Sequence, residues 1–447
     1  MTPVILHLGL GAFFRAQLAD YTQDAGGWRI EPVGMRSDRL VRAMRDAEGY
    51  GVILRAPDGP RLKRITCCTR PWHLPTEAEA LVSRFADPEV RIVSLTITEK
   101  GYGAALSERR LDPEADVIAA DLAAANPPQG AIGLIVAGLA ARRAAGRGGL
   151  TLMSCDNLPD NGGLLAALVG EFAERRDPDL ARWIAETCTF PASMVDRITP
   201  ATTEATLAEA GALGGAPDPL AVETEPFRQW VIEDRFAGPR PAWEDAGAEF
   251  VADVAPYEDM KLRMLNGAHS LLAYLGCLAG LEAVRDVMAH PVAALVDRHM
   301  AAAARTVSPD LDTDAYRAAL LDRFANPAIR HLCRQIASDG SQKLPQRLLA
   351  PAGIALQAGE SLDTYALAVA AWLRFVAREG LDVADPLAAR LAALPAGYPD
   401  RLDAVAAIFG PDHAKLFAAP TFRTAVFDAD RLLESQPPEA WSGCASN

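Results

Sequence analysis

The sequence predicts an α/β domain built on a mainly parallel sheet over residues 1–254, followed by an all-α domain over residues 255–447. Strand-like runs rich in β-branched residues alternate with helix-like stretches through the first 155 residues, which is typical of βαβ units. From Pro256 onward such runs disappear, and alanine and leucine recur at helical spacing. A chain of 447 residues is also long enough for two domains, each with its own core.

The individual elements follow from hydrophobic periodicity. Short apolar runs bounded by turn residues indicate strands, and longer stretches with apolar residues three and four apart indicate helices. In the first domain the strands are Val4–Leu8 and residues 28–35, 92–98 and 150–154, the helices are 12–24 and 131–145, and a hairpin joins residues 52–54 and 63–67. In the second domain the helices are residues 259–281, 292–307, 313–324, 364–379 and 402–409.

Composition and charge exclude several classes of protein. Half of the residues are hydrophobic and 23% are charged, which excludes a disordered chain. The net charge of -14 argues against nucleic acid or an anionic membrane as the main partner. The seven cysteines form no CxxC pair, and no apolar run reaches the roughly 20 residues of a membrane helix. We therefore expect a cytoplasmic protein that acts on a small molecule; the sequence leaves its oligomeric state open.

A glycine turn follows the first predicted strand. Gly9 and Gly11 stand where strand meets helix, as do the glycines that let a Rossmann-like domain approach a dinucleotide pyrophosphate. Phe14 occupies the slot of the third glycine, and Arg15 beside it is a candidate partner for phosphate. Because two glycines make a weak motif, an ordinary strand-to-helix turn is an equal alternative. We predict that this turn, with Phe14 and Arg15, contacts the cofactor.

The acidic residue expected near the adenosine ribose is Asp38. It lies 27 residues after Gly11, near the usual spacing of about 20. Arg36 is a candidate for a 2′-phosphate instead, and a solvated helix start is an alternative for Asp38. The sequence favours NAD over NADP.

A polar face is predicted on the first helix of the second domain. At about 100° per residue, Glu258, Lys261, Asn266 and His269 fall within an arc of about 140°. Burial lowers the pKa of a lysine toward neutrality, so these residue types suit proton transfer to a carbonyl oxygen that an amide stabilises. A polar stripe with local ion pairs is the alternative. The seven histidines are dispersed without an HxH or HExxH pattern, so no metal site is predicted.

Seven stretches spread along the chain resemble one enzyme family. They are HLGLGAFFRAQ from His7, SLTITEKGY from Ser94, SCDNLPDNGG from Ser154, FPASMVDRITP from Phe190, EPFRQWVIED from Glu225, PYEDMKLRMLNGAHS from Pro256 and DGSQKLPQRL from Asp339. The chain is thereby similar to the polyol-specific long-chain dehydrogenases/reductases, the mannitol dehydrogenase and fructuronate reductase group. The resemblance implies metal-independent reduction of a ketose or keto-sugar acid with a nicotinamide cofactor, or the reverse oxidation.

The resemblance also implies a set of catalytic residues. Lys261 resembles the general acid/base, and Asn157 and Asn266 resemble the pair that holds the carbonyl oxygen. His269 is similar to a substrate-orienting residue, and Glu258 to a carboxylate that helps protons reach Lys261. For Asn157, capping of the helix that begins near residue 161 is the alternative.

Further positions resemble binding residues. Glu99, Asn157 and the glycine turn are similar to cofactor contacts, and Asp196 to an aspartate near the nicotinamide. Lys343 and Arg347 resemble substrate contacts. An ion pair of Asp196 with the adjacent Arg197, and a solvated loop edge for Lys343 and Arg347, are the alternatives.

The motif SLTITEKGY resembles the fructuronate reductase branch, and a cation at Lys343 or Arg347 suits a substrate carboxylate. The expected reaction is D-fructuronate to D-mannonate with NADH. Within the family, mannitol oxidation to fructose is the first alternative, and tagaturonate or arabinitol oxidation is another. A decarboxylating enzyme similar to 6-phosphogluconate dehydrogenase, or a cofactor-binding scaffold without turnover, are the alternatives outside it.

Overall fold

The computed structural model describes residues 2–123, 127–398 and 400–444, and the chain divides into two compact units, Met1–Ala255 and Pro256–Asn447. All strands of the described residues lie in the first unit, whose largest sheet is parallel, and the second unit is helical. The predicted fold class is therefore confirmed. Within the described residues, no helix is long and apolar enough to cross a membrane.

The strands of the first unit form four sheets. They are β1 Val4–Leu8, β2 Arg29–Gly34, β3 Tyr50–Ala56, β4 Gly59–Ile65, β5 Trp72–His73, β6 Val90–Leu95, β7 Ala104–Ala105, β8 Arg110–Leu111, β9 Thr151–Ser154, β10 Ser193–Asp196, β11 Val222–Thr224, β12 Gln229–Glu233 and β13 Glu249–Val251. The five-stranded sheet has the order β5-β2-β1-β6-β9, with every neighbouring pair parallel. Because β1, β6 and β9 are parallel neighbours, their carboxyl ends lie at the same edge of the sheet. Ligands of such sheets bind at this edge.

The three smaller sheets complete this unit. The predicted hairpin is formed by β3 and β4, which pair antiparallel with each other, and β11 pairs parallel with the other edge of β3. A second sheet has the order β10-β12-β13, and β7 pairs with β8.

Helices cover both faces of the parallel sheet, each with its own apolar cluster. They are α1 Ala12–Ala16, α2 Leu18–Ala25, α3 Arg39–Arg45, α4 Leu74–Arg84, α5 Asp116–Ala123, α6 Ala131–Ala144, α7 Asn161–Arg176, α8 Pro178–Thr187 and α9 Glu204–Gly214. The single helix predicted over residues 12–24 is broken at Gln17, whose φ of -113° and ψ of -81° are not helical.

The second unit is a bundle around one apolar cluster. Its helices are α10 Ala255–Met260, α11 Gly267–Ala279, α12 Val284–Met288, α13 Ala293–Ala304, α14 Thr313–Phe324, α15 Cys333–Ile336, α16 Gly340–Leu344, α17 Ala350–Ala358, α18 Asp363–Glu379, α19 Ala388–Ala392, α20 Asp400–Phe409, α21 Ala414–Ala418, α22 Pro420–Ser435 and α23 Trp441–Cys444. Two π-helical segments, Lys261–Asn266 and Pro345–Leu349, interrupt these helices. The helix predicted over residues 259–281 is therefore three segments: α10, a π segment and α11.

Candidate active site

The glycine turn after β1 admits no side chain at its first glycine. Gly9 has a φ of +108°, and a Cβ built there would lie 2.1 Å from the carbonyl oxygen of Thr96. Its N–H donates to the Val33 carbonyl at 3.0 Å, which holds the turn against the end of β2. Only glycine fits this position, because both the backbone conformation and the neighbouring strand exclude a Cβ.

The second glycine faces open space. Gly11 precedes α1, and a Cβ built on it would meet nothing within 4 Å. A cavity of about 570 Å³ begins here and is lined by residues 11–13, 96, 98–100 and 155–158. The first N–H groups of a helix have no intrahelical acceptor, so the start of α1, which lines this cavity, supplies candidate amide donors beside an unobstructed backbone. These features fit a dinucleotide at the edge of the sheet.

The buried His7 forms hydrogen bonds next to the glycine turn. The two ring nitrogens of His7 hydrogen bond to Ser94 Oγ at 2.8 Å and Thr96 Oγ1 at 2.9 Å. Phe14 stacks on the ring with centroids 4.0 Å apart. Burial lowers the pKa of His7 to about 3, so the imidazole is neutral at pH 7.

The structure places Phe14 and Arg15 inside the domain. Phe14 is fully buried, and the Arg15 guanidinium donates to the carbonyl oxygens of Leu220 and Gly11. These positions do not favour the predicted contact of the Phe14 and Arg15 side chains with the cofactor. The physical reason is that β11, about 200 residues away in sequence, brings the Leu220 carbonyl over the guanidinium.

An aspartate that the sequence analysis missed organises the opposite wall. Both oxygens of Asp156 accept backbone N–H groups, one from Ile97 and one from Thr98, each at 3.0 Å. Tyr102 donates its hydroxyl to the same carboxylate at 2.8 Å. Thr98 has a φ of +63°, a strained value that these bonds hold in place. Burial raises the pKa of Asp156, although the N–H donors oppose the shift.

This arrangement presents two of the predicted residues to the cavity. Glu99 and Asn157 both line it and both are exposed. Asn157 is not the cap of the following helix, because Asp160 accepts the Gly163 N–H at the start of α7. The alternative assigned to Asn157 is therefore excluded.

Two further predicted residues lie elsewhere in the first unit. Asp38 precedes α3 and forms an ion pair with Arg42 at 3.1 Å. Asp196 is buried at the end of β10. The adjacent Arg197 forms its buried ion pair with Asp20, at 2.5 Å.

The lysine block of the second unit lies in the first π segment. Lys261 opens the segment and is only 7% exposed, and Asn266 closes it. The Gly267 N–H donates to the Leu262 carbonyl, five residues earlier, instead of the four of an α-helix. The predicted angle of about 140° between Lys261 and Asn266 assumed a regular α-helix, which this segment is not. A π turn is wider than an α turn, so it places residues five apart closer in angle than an α-helix does.

A hydrogen-bonded chain links this segment to the second π segment. Ser270 donates to the Asn266 carbonyl at 3.0 Å, and Arg347 Nη1 donates to the Ser270 hydroxyl at 3.3 Å. A Cβ on Gly267 would lie 2.9 Å from the Arg347 carbonyl, so glycine allows the two segments to pack closely. π segments are rare and concentrate at functional sites.

His269 lies on α11, one turn beyond the first π segment. Its ring stacks on Phe324 with centroids 4.3 Å apart and meets His331 edge to face at 5.4 Å. Burial lowers the pKa of His269 well below its ordinary value, and nearby His331, Arg323 and Arg347 act in the same direction. The imidazole is therefore neutral at pH 7.

Lys343, one of the two residues predicted to bind the substrate, forms hydrogen bonds within the protein. Lys343 donates to the Ser338 carbonyl at 2.7 Å, to the Ser338 hydroxyl at 3.3 Å and to the Ile336 carbonyl at 3.4 Å. These bonds use the three N–H donors of an ammonium group. Burial first, and Arg347 second, lower the pKa of Lys343. Glu258 lies on α10, three residues before Lys261, and is half-buried.

Within residues 2–123, 127–398 and 400–444, no group of three or more histidine, cysteine, aspartate or glutamate side chains is placed to hold a metal ion.

Comparison with known families assigns both units. The mannitol dehydrogenase Rossmann domain matches residues 3–245, and the mannitol dehydrogenase C-terminal domain matches residues 253–412. The chain belongs to the mannitol dehydrogenase family. It is therefore an oxidoreductase that acts on CH–OH groups, as the resemblance implied.

Individual relatives extend this assignment. The chain is 44% identical to the D-mannonate oxidoreductase of Escherichia coli (strain K12), covering 91% of this chain and 88% of that protein. It is 38% identical to the mannitol 2-dehydrogenase of Cereibacter sphaeroides, covering 84% and 81% respectively. Among solved structures, Pseudomonas fluorescens mannitol 2-dehydrogenase in complex with NAD and D-mannitol matches with a TM-score of 0.79 at 34% identity, covering 99% of this chain and 94% of that one.

Proposed function

We propose that this protein catalyses the NAD-dependent, metal-independent interconversion of a keto-sugar acid and its hydroxy acid, with D-fructuronate and D-mannonate as the pair. The buried Lys261, in the same π segment as Asn266, carries the proposal, because a buried amine is suited to protonate a new alkoxide and an amide to stabilise it. The 44% identity to an enzyme named D-mannonate oxidoreductase supports the sugar acid over a neutral ketose.

The first unit fits the nicotinamide cofactor. Gly9 makes the tight turn, Gly11 leaves the backbone open, and the adjoining cavity is lined by Glu99 and Asn157. Asp38 remains our candidate for the ribose, and Asp196 for the nicotinamide end. When bound, the cofactor supplies a hydride to the carbonyl carbon or accepts one in the reverse reaction.

The proposed chemistry of the protein is proton transfer and charge stabilisation. As the carbonyl carbon gains a hydride, the electron pair of the C=O π bond moves to oxygen, and Lys261 Nζ gives that oxygen a proton. The side-chain amides of Asn157 and Asn266 donate hydrogen bonds to the oxygen while its charge develops. His269 orients the substrate, and Glu258 helps return a proton to Lys261. In the oxidative direction Lys261 accepts the hydroxyl proton instead.

A mannitol 2-dehydrogenase is the second candidate function. The relatives that bear this name are 35–38% identical to the chain over most of its length, which favours the same chemistry on a neutral polyol. We further propose that the protein acts in the cytoplasm on a small sugar substrate without nucleic acid or membrane partners.

A substrate panel tests this proposal. Purified protein is mixed with NADH or NADPH and with D-fructuronate, D-tagaturonate, D-fructose or D-xylulose, and nicotinamide absorbance is followed. The expected result is fastest turnover with D-fructuronate and NADH, yielding D-mannonate. Turnover of D-fructose far above that of D-fructuronate would assign the second function, and no turnover on any substrate would indicate a scaffold.

A further inference from the structure

The ring of His269 is paired with a second imidazole, His331, in the second unit. His331 lies in the segment between α14 and α15, and its ring meets that of His269 edge to face, with centroids 5.4 Å apart and planes at 84°. Phe324 stacks on the other side of His269. The Val284 N–H donates to the His331 carbonyl at 2.9 Å, which fixes the backbone that carries the ring. The pair is therefore held in place from three directions.

Each ring presents one nitrogen that the protein leaves unpaired. Among the described residues, neither His269 Nε2 nor His331 Nδ1 has a hydrogen-bond partner, and both atoms are buried. Buried polar atoms in folded proteins are nearly always satisfied, because an unpaired one costs about 1–3 kcal/mol. The two rings, with centroids 5.4 Å apart, thus each carry a nitrogen for which a ligand atom would be the missing partner.

The charges around the pair select the kind of ligand. Arg323 and Arg347 act on His269, and Lys343 acts on His331, each disfavouring a protonated imidazole. The carboxylate of Asp339 lies 3.9 Å from Lys343 Nζ and offsets part of this charge. Three cations near two neutral rings create a positive potential that favours an anion. Two unpaired ring nitrogens further favour an anion with two acceptor oxygens.

We propose that His269 and His331 together bind the carboxylate of the sugar acid, each imidazole donating one N–H to one carboxylate oxygen. This inference rests on the proposed function and adds His331 as a residue that selects a sugar acid over a neutral ketose. It also revises the role expected for Lys343 and Arg347. Lys343 donates to carbonyl and hydroxyl oxygens of residues 336 and 338, and Arg347 Nη1 donates to the Ser270 hydroxyl, so in this inference both residues supply positive charge near the pair.

Two substitutions at one position test the inference. His331→Asn keeps a short N–H donor near the position of Nδ1, whereas His331→Phe keeps a ring but has no donor. Steady-state kinetics with NADH compare D-fructuronate with D-fructose, which lacks the carboxylate. His413→Asn, on a turn between α20 and α21, serves as the matched histidine control.

The inference predicts that His331→Phe raises KM for D-fructuronate about tenfold to a hundredfold, the cost of losing a hydrogen bond to a charged group. The KM for D-fructose stays within about twofold, and His331→Asn recovers part of the loss. An equal rise in both KM values, or no rise in either, overturns the inference. If the wild-type protein does not reduce D-fructuronate, the proposed substrate is wrong, and this result does not depend on His331. The His331 variants are then compared on the sugar acid and the ketose that the panel shows to react.

Discussion

The two units build their parts of the chemistry by different means. In the first unit the backbone makes the proposed site: Gly9 and Gly11 lack the Cβ atoms that would fill the turn, and Asp156 holds backbone N–H groups in a strained turn. In the second unit side chains make the proposed site, and Lys261 and Asn266 begin and end a π segment. The first site should therefore be sensitive to added atoms, and the second to removed ones.

The largest effect is expected from removing the Lys261 amine. Lys261→Ala should lower kcat about a thousandfold, the usual contribution of general acid–base catalysis, while the affinity for NADH is unchanged. The measurement pairs steady-state turnover with NADH fluorescence titration, and Lys415→Ala, on an exposed residue of α21, is the control. If Lys261→Ala keeps more than a tenth of the wild-type kcat, the proposed catalytic role of the Lys261 side chain is contradicted.

The glycine turn should respond to a single added methyl group in two different ways. Gly9→Ala forces a Cβ against the Thr96 carbonyl and should lower the free energy of unfolding by about 3 kcal/mol or more. Gly11→Ala has room in the protein, so its stability should change little while its Kd for NADH rises at least about tenfold. Thermal unfolding and NADH titration check both variants. Similar stability losses for the two alanines would remove the distinction between a structural and a ligand-facing glycine.

The smallest effect concerns pH. Burial lowers the pKa of His299 to about 4. The unfolded chain binds a proton at this residue below about pH 6.5, whereas the folded chain does not until about pH 4, so stability is lost as pH falls through this window. Removing His299 should reduce the slope of the unfolding free energy by about 1.4 kcal/mol per pH unit.

We expect this change in His299→Gln, followed by denaturant unfolding between pH 4.5 and 6.5. His73→Gln, on a ring that is partly in solvent, is the comparison. An unchanged slope in His299→Gln would show that this histidine does not contribute to acid sensitivity.

These contrasts also explain how far the sequence could predict the structure. β1 lies at its predicted residues, Val4–Leu8, because a short apolar run ending in glycines has few other solutions. The helix predicted over residues 259–281 contains a π segment, which no fixed 3.6-residue period reveals. The position of the Arg15 guanidinium depends on Leu220, a contact set by tertiary structure. His331 and Asp156 were missed because their partners are also distant in sequence, and only the three-dimensional structure brings them together.

The central claim is that this protein acts on a keto-sugar acid, and the ratio of kcat/KM for D-fructuronate to that for D-fructose, both with NADH, tests it most directly. A substrate carboxylate bound by charge-assisted hydrogen bonds should make this ratio about a hundred or more. A ratio below one would contradict the claim and assign the protein to neutral polyols.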